Sequence, residues 1–314
     1  MAIADAESSK PESPDVIALM AITQFMQGAG ISVRGLRPDP QGIIEQRVRE
    51  IVKPWDLSGV SPKRFNASLT TGVDIAGSSY PYTSINTQVH IAIFTLLATC
   101  FDDFLTDSDA MSEFSDRFRA GLPQRLPLLQ YFADSLSSMS TYFLPFAARA
   151  IVNSALVYMN RNVFDKEASE MPIHEAARQY IEWKRLQNGM AEAYALFIWD
   201  KHSFSSIHSF IQAVPEVVLC VNYMNDILSF YKEELEGDVT NYIHERAKVT
   251  GRETNAVLFD VVNDTIEAVK RARDIVQGDA ERAAVDAFVA GYTVFHVYSP
   301  RYRLLDLMKG SEYL

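Results

Sequence analysis

An all-α fold is the architecture this sequence predicts, on three observations. Apolar residues recur with helical spacing along most of the chain, and no set of alternating apolar and polar residues defines a sheet. Prolines at 54, 62, 81, 123, 127, 145, 172 and 215 fall mostly between the periodic segments or at their starts, where a residue without an N–H does least harm. Three segments, HIAIFTLLATCF (90–101), LPFAARAIVNSALVYM (144–159) and VPEVVLCVNYMNDIL (214–228), are apolar over more than one face. Helices of that kind belong at the centre of a large bundle.

Taken in order, residues 1–14 are acidic and rich in Ser and Pro, and read as a disordered tail. No basic start precedes an apolar run, as a secretion signal would require. Residues 15–314 then read as one domain, since no linker long enough to separate two domains appears after residue 40 and no repeat is evident. Its helices are expected at about 15–28, 39–52, 61–78 with Pro62 in the first turn, and 83–104 after Pro81. Next come about 110–120, 124–138 and 141–161, the last two carrying Pro127 and Pro145 near their starts. A long segment at about 173–200 follows Pro172 and is broken at Gly189 within RLQNG. The series closes with about 205–213, 214–235, 239–249, 252–277 and 279–298.

Bulk properties remove several function classes. A chain of 314 residues, 48% of them hydrophobic and 22% charged, has an ordinary soluble composition and buries a substantial core. A net charge of −11 excludes a sequence-blind grip on nucleic acid, which needs a phosphate-neutralising surface. It leaves room for a small anionic substrate held by a few local cations. The longest apolar stretches are interrupted well short of a membrane span. Cys100 and Cys220 sit in apolar helical surroundings and form no CxxC pair, so they read as buried free thiols in a reducing, cytoplasmic compartment.

The polar residues that break this pattern are informative. In NDILSFYKE (225–233), Asn225, Ser229 and Glu233 recur every four residues, each step rising ~6 Å and drifting ~40° along one helix face. Hard oxygen donors of modest charge suit Mg²⁺, although such a row also occurs on wet helix faces. A second acidic run, DDFLTD (102–107), ends another apolar helix, and Asp102 shares a face with Phe94, Thr95, Ala98 and Thr99. Carboxylates at helix C-termini oppose the macrodipole, an arrangement that a cation makes sensible. Lys232 adjoins the first row, Arg185 opens RLQNG, and Arg301-Tyr302 follows the helix ending HVYSP. Each alone is an ordinary surface charge; jointly with two acidic rows they specify a metal-bridged diphosphate. QGAGISVRG does not satisfy GxGxxG, no P-loop, HExxH or GxSxG occurs, and the six histidines form no ligand spacing.

NDILSFYKE resembles the (N/D)Dxx(S/T)xxxE metal motif of class I terpene synthases. With DDFLTD and GYTVFHVYSPRYRL (291–304), the chain is most similar to the fungal trichodiene synthase-type sesquiterpene cyclases, from about residue 60 to about residue 305. The resemblance implies a single helical class I terpenoid synthase domain around a central apolar pocket, which ionises farnesyl diphosphate with three Mg²⁺ and releases pyrophosphate. It assigns Asp102 to two metals and Asn225, Ser229 and Glu233 to the third. Arg185 becomes the diphosphate-sensing arginine, with Asn188 and Gly189 at the helix break, and Lys232, Arg301 and Tyr302 become further diphosphate donors. Candidates for an aromatic wall facing the carbocation are Phe94, Phe101, Tyr292, Phe295 and Trp199. Phe295, two turns before the Arg301-Tyr302 pair, is the first choice.

The motif match has three departures. Thr106 occupies the fifth position of the DDxxD pattern, so Asp107 is not assigned to metal. Asn188 stands where many relatives carry Asp, and the chain stops sooner after the Arg-Tyr pair than trichodiene synthase does. A chain-elongating prenyltransferase of the same fold would want two aspartate-rich motifs, and a non-catalytic scaffold has no need of the dispersed cations. A homodimer is the macromolecular assembly left open.

Overall fold

A computed structural model describes residues 13–39, 41–103, 107–168, 171–187, 190–311 and 313. The expected tail lies almost entirely outside the described residues, as do Thr106, Asn188 and Gly189. The described helices are α1 Pro14–Ala29, α2 Ile43–Val52, α3 Pro62–Ser79, α4 Ile85–Asp103, α5 Ser108–Arg119, α6 Pro127–Ser137 and α7 Pro145–Glu167. They continue as α8 Arg178–Gln187, α9 Ala191–Leu196, α10 Val214–Glu236, α11 Tyr242–Thr250, α12 Thr254–Ile275, α13 Asp279–Tyr298 and the single turn α14 Leu304–Leu307. No strand occurs among the described residues. None of these helices is long and apolar enough to cross a membrane.

Proline opens α1, α3, α6 and α7 and lies in the first turn of α10, where the lost N–H would have had no helical partner. Two expected helices come out differently. The segment expected at 173–200 forms α8 and α9, with Met190 in the left-handed region (φ 52°) at the start of α9. The segment expected at 205–213 makes two single 3₁₀ turns, Ile207–Ser209 and Ile211–Ala213. There Ser206 Oγ accepts from His208 N, and Phe210 leaves helical geometry at φ −136°, so no continuous helix propagates.

Close backbone packing positions the central helices. A Cβ on Gly72 would lie 2.3 Å from Ala92 O, and one on Gly291 would lie 1.9 Å from Ser78 O. Only glycine permits these approaches, so α3 is held against α4 on one side and α13 on the other. The N-terminus of α4 is fixed by fully buried Asp200, which accepts from Ser84 N (2.9 Å) and Thr87 Oγ1 (2.7 Å), and also from Ser203 N (2.9 Å). Burial alone would raise the Asp200 pKa; these hydrogen bonds outweigh it and hold the carboxyl below its ordinary value. The far end of the same helix carries Asp102. Both cysteines are buried.

Candidate active site

A cavity of about 210 Å³ opens between these helices. From α4 it receives Thr95, Ala98, Thr99 and Asp102, a stripe at helical spacing that ends on the carboxylate. From α10 it receives Val221, Asn222 and Asn225, and from α13 Tyr292 and Phe295. Arg185 of α8 and the Arg301-Tyr302 pair after α13 also line it. Asp102 also accepts a short hydrogen bond from Tyr158 of α7, another lining residue.

Arg185 is held from behind. Its Nε donates to Asp226 Oδ2 (2.9 Å) and its Nη2 to the carbonyl of Asn222 (2.8 Å), with both side chains of the ion pair 10% exposed. Burial holds the Asp226 carboxyl above its ordinary value, with the adjacent guanidinium opposing the shift. Those two contacts use one edge of the guanidinium fork and orient the remainder toward the cavity that Arg185 lines.

The Asn225, Ser229 and Glu233 row climbs α10 as the spacing requires. A second cavity of about 340 Å³ shares Arg185 and Asn225 with the first and is lined by Glu233, Asp226, Asp238, Lys184 and Arg161 among others. Burial lifts the Glu233 carboxyl to about 7, opposed by neighbouring Ser229 and Lys232. Ser229 Oγ is close enough to favour the Glu233 anion, yet it is buried without a hydrogen bond of ordinary geometry among the described residues. An amide oxygen, an orphaned buried hydroxyl and a carboxylate that burial penalises when ionised form a donor set suited to a hard divalent cation. Among the described residues no three His, Cys, Asp or Glu side chains cluster as a metal site, since this row carries one carboxylate and Asp102 stands on another helix.

Behind Asn225 lies His296 of α13, fully buried. Its Nδ1 is 2.8 Å from the Tyr292 carbonyl and its Nε2 is 3.3 Å from Asn225 Nδ2. The rings of Tyr292, Phe295 and Tyr302 enclose it at centroid distances of 4.5, 4.9 and 4.4 Å. Burial holds its pKa down near 4, so the ring is neutral around neutral pH.

The structure therefore brings together Asp102, Arg185, Asn225, Phe295, Arg301 and Tyr302 on one cavity, with Glu233 on its neighbour. It does not bring Phe94 there. That ring is fully buried behind the wall, packed at 5.1–6.1 Å against Phe132, Tyr194 and Phe197, because it lies about 100° around α4 from Thr95. Phe101 packs on Phe132 and Trp199 stacks on Phe210, both likewise in the core. Lys232 pairs with Glu236 (3.3 Å) and lines neither cavity, and Ser229 stays beneath the surface between its two partners on α10. Tyr158, Met190, Tyr194 and His296 are not legible as site residues in the sequence, since each is an apolar or aromatic position whose role depends on long-range packing. The tyrosine at the end of the apolar run ALVYM (155–159) of α7 is the one available hint, because a buried phenol seeks a partner.

The family model for trichodiene synthase (TRI5) matches residues 46–312. A Postia placenta protein named Monoterpene synthase 25 is 35% identical over 312 residues, 98% of this chain and 92% of its own. Terpene synthase BipA of Cochliobolus sativus is 34% identical over 238 residues, 74% of this chain and 73% of its own. Among solved structures, a linalool/nerolidol synthase from Streptomyces clavuligerus matches 85% of this chain and 99% of that chain with a TM-score of 0.61. Its 18% identity makes this a likeness of fold. The chain belongs to the trichodiene synthase family of terpene synthases.

Proposed function

We propose that the protein is a sesquiterpene cyclase that ionises farnesyl diphosphate in the presence of Mg²⁺, releases pyrophosphate and closes the resulting carbocation to a hydrocarbon or alcohol. One observation carries this reading: Asp102, Arg185, Asn225, Arg301 and Tyr302 meet on a single cavity that Ile75, Met190, Val221, Tyr292 and Phe295 also line. Charged and hydrogen-bonding groups together with apolar and aromatic ones suit a substrate with a charged head and a hydrocarbon tail.

Asp102 and the Asn225, Ser229 and Glu233 row are the residues that would hold Mg²⁺, three ions by family resemblance. When bound, Mg²⁺ neutralises charge on the departing diphosphate. Arg185, Arg301 and Tyr302 donate hydrogen bonds to the same oxygens as negative charge develops, which favours C–O cleavage without a protein nucleophile. Ile75, Met190, Val221, Tyr292 and Phe295 would offer the cation hydrocarbon and ring faces. Lys232 enters this scheme only through its influence on Glu233.

A second reading, geranyl diphosphate as the substrate, is favoured by the similarity to a protein named for monoterpene synthesis. Incubation with geranyl, farnesyl and geranylgeranyl diphosphates, each with Mg²⁺ and with chelator, separates the two. The proposal expects the highest kcat/KM with farnesyl diphosphate and no product with chelator. Preference for geranyl diphosphate would transfer the assignment, and no turnover of any of the three would end the cyclase reading.

A further inference from the structure

The six histidines offer no ligand spacing, yet one of them touches a proposed metal ligand from behind. His296 and Asn225 lie 71 positions apart on α13 and α10, and their side chains meet at 3.3 Å in the wall of the cavity. The Tyr292 carbonyl, 2.8 Å from His296 Nδ1, can only accept. Nδ1 of the neutral ring therefore carries the proton, and Nε2 is left as an acceptor. Of the two ends of the Asn225 amide, only the NH₂ group can donate to it. The Asn225 Oδ1 is consequently turned away from the ring and toward the cavity. The opposite amide orientation would set Oδ1 against the Nε2 lone pair, two acceptors face to face.

We infer that His296 is a positioning residue, which fixes the amide of Asn225 so that its oxygen faces the Mg²⁺ site. The inference rests on the metal reading above and extends it to a residue outside the motif. His296 cannot swing away to release Asn225, because Tyr292, Phe295 and Tyr302 pack around its ring. Partners of this kind orient a ligand atom and set its affinity without touching the ion. Two of the rings that cage His296, Phe295 and Tyr302, themselves line the cavity.

The test is titration calorimetry of Mg²⁺ in the presence of inorganic pyrophosphate, on wild type and on His296→Leu, His296→Gln, Asn225→Asp and Asn225→Asp/His296→Leu. Removing the acceptor in His296→Leu should weaken Mg²⁺ binding by about 10–100-fold with circular dichroism unchanged. His296→Gln can donate to the Tyr292 carbonyl and accept from Asn225, and should recover most of the loss. With Asn225→Asp the ligand has oxygens on both sides and no orientation to fix, so adding His296→Leu should cost less than about 3-fold. Equal losses in both backgrounds, or unchanged Mg²⁺ binding in His296→Leu, overturn the inference. Wild type without Mg²⁺-dependent pyrophosphate binding overturns the metal reading as well. Nitrogen-15 spectra of the wild-type imidazole, assigned by difference from His296→Gln, give a check that does not depend on any variant keeping its ligand affinity. They should show the proton on Nδ1, and a proton on Nε2 overturns the inference.

Discussion

Glu233 is a carboxylate that burial has made reluctant to ionise, its pKa lifted to about 7 from an ordinary value of 4.5. A folded-state pKa above the unfolded one means the folded chain binds more protons between those two values. The contribution of Glu233 to stability is therefore fully present below about pH 4.5 and is lost as pH rises through about 7. In the proposed Mg²⁺ site the balance would reverse, because only the anion is a ligand. Thermal unfolding from about pH 5 to about pH 8.5 should show wild type losing stability relative to Glu233→Gln when chelator is present. With Mg²⁺ and pyrophosphate the wild-type gain should grow across the same range and be much smaller in Glu233→Gln. Parallel curves for the two proteins in chelator would remove Glu233 from the titration. Along the same row, Asn225→Ala should cut turnover severely while the fold survives, since Asn225 already sits at a cavity wall.

The helix is the scale at which magnitudes decide which charges matter. On α10, Asp226 faces Arg185 with each side chain 10% exposed, whereas Lys232 and Glu236 are 21% and 55% exposed. Breaking the first pair by Asp226→Ala leaves a buried guanidinium and should cost about 3–5 kcal/mol in urea unfolding. Lys232→Ala should cost no more than about 1 kcal/mol. Equal costs would show that burial does not separate the two pairs. On α13, Gly291→Ala forces a methyl into the carbonyl of Ser78 and should cost about 1–3 kcal/mol or more, with activity falling as α3 and α13 separate. Full stability in that variant would contradict the close approach.

Elements of this kind are readable because their signals are local. The i, i+4, i+8 oxygens of α10, the apolar faces and the prolines in first turns are properties of a few consecutive residues. Phe94 reads as a wall residue because it is an aromatic on the face of Asp102, and which of two adjacent positions faces inward depends on where α6, α7 and α9 pack around α4. His296 escapes a sequence reading for a similar reason: its function lies in a contact to another helix, with no pattern in its own. The region of the break between α8 and α9 is visible at RLQNG, but the left-handed Met190 that begins α9 carries no sequence signature.

At the scale of the whole molecule, the fold sets two chemistries side by side. The C-terminal ends of α4 and α10 carry Asp102 and Glu233, while α13 contributes Tyr292 and Phe295 before the chain turns back through Arg301 and Tyr302. On the proposed function, the charged lining residues govern ionisation and the aromatic ones govern what the cation becomes. Phe295→Leu keeps most of the apolar volume, at a cost under about 1.5 kcal/mol, and removes a ring face. A desolvated cation–π contact of about 2 kcal/mol corresponds to a ~30-fold shift in the partition between competing carbocation steps. Arg301→Ala instead withdraws a donor to the leaving group, a loss of about 10²–10³ in rate by analogy with oxyanion donors. Gas chromatography of the products from farnesyl diphosphate, normalised to pyrophosphate released, reads both effects at once. The account predicts near-normal pyrophosphate release with a redistributed product mixture for Phe295→Leu, and strongly reduced release with little change in product ratios for Arg301→Ala. Folded Phe295→Leu that fails to release pyrophosphate, or that makes the wild-type product mixture, would contradict it.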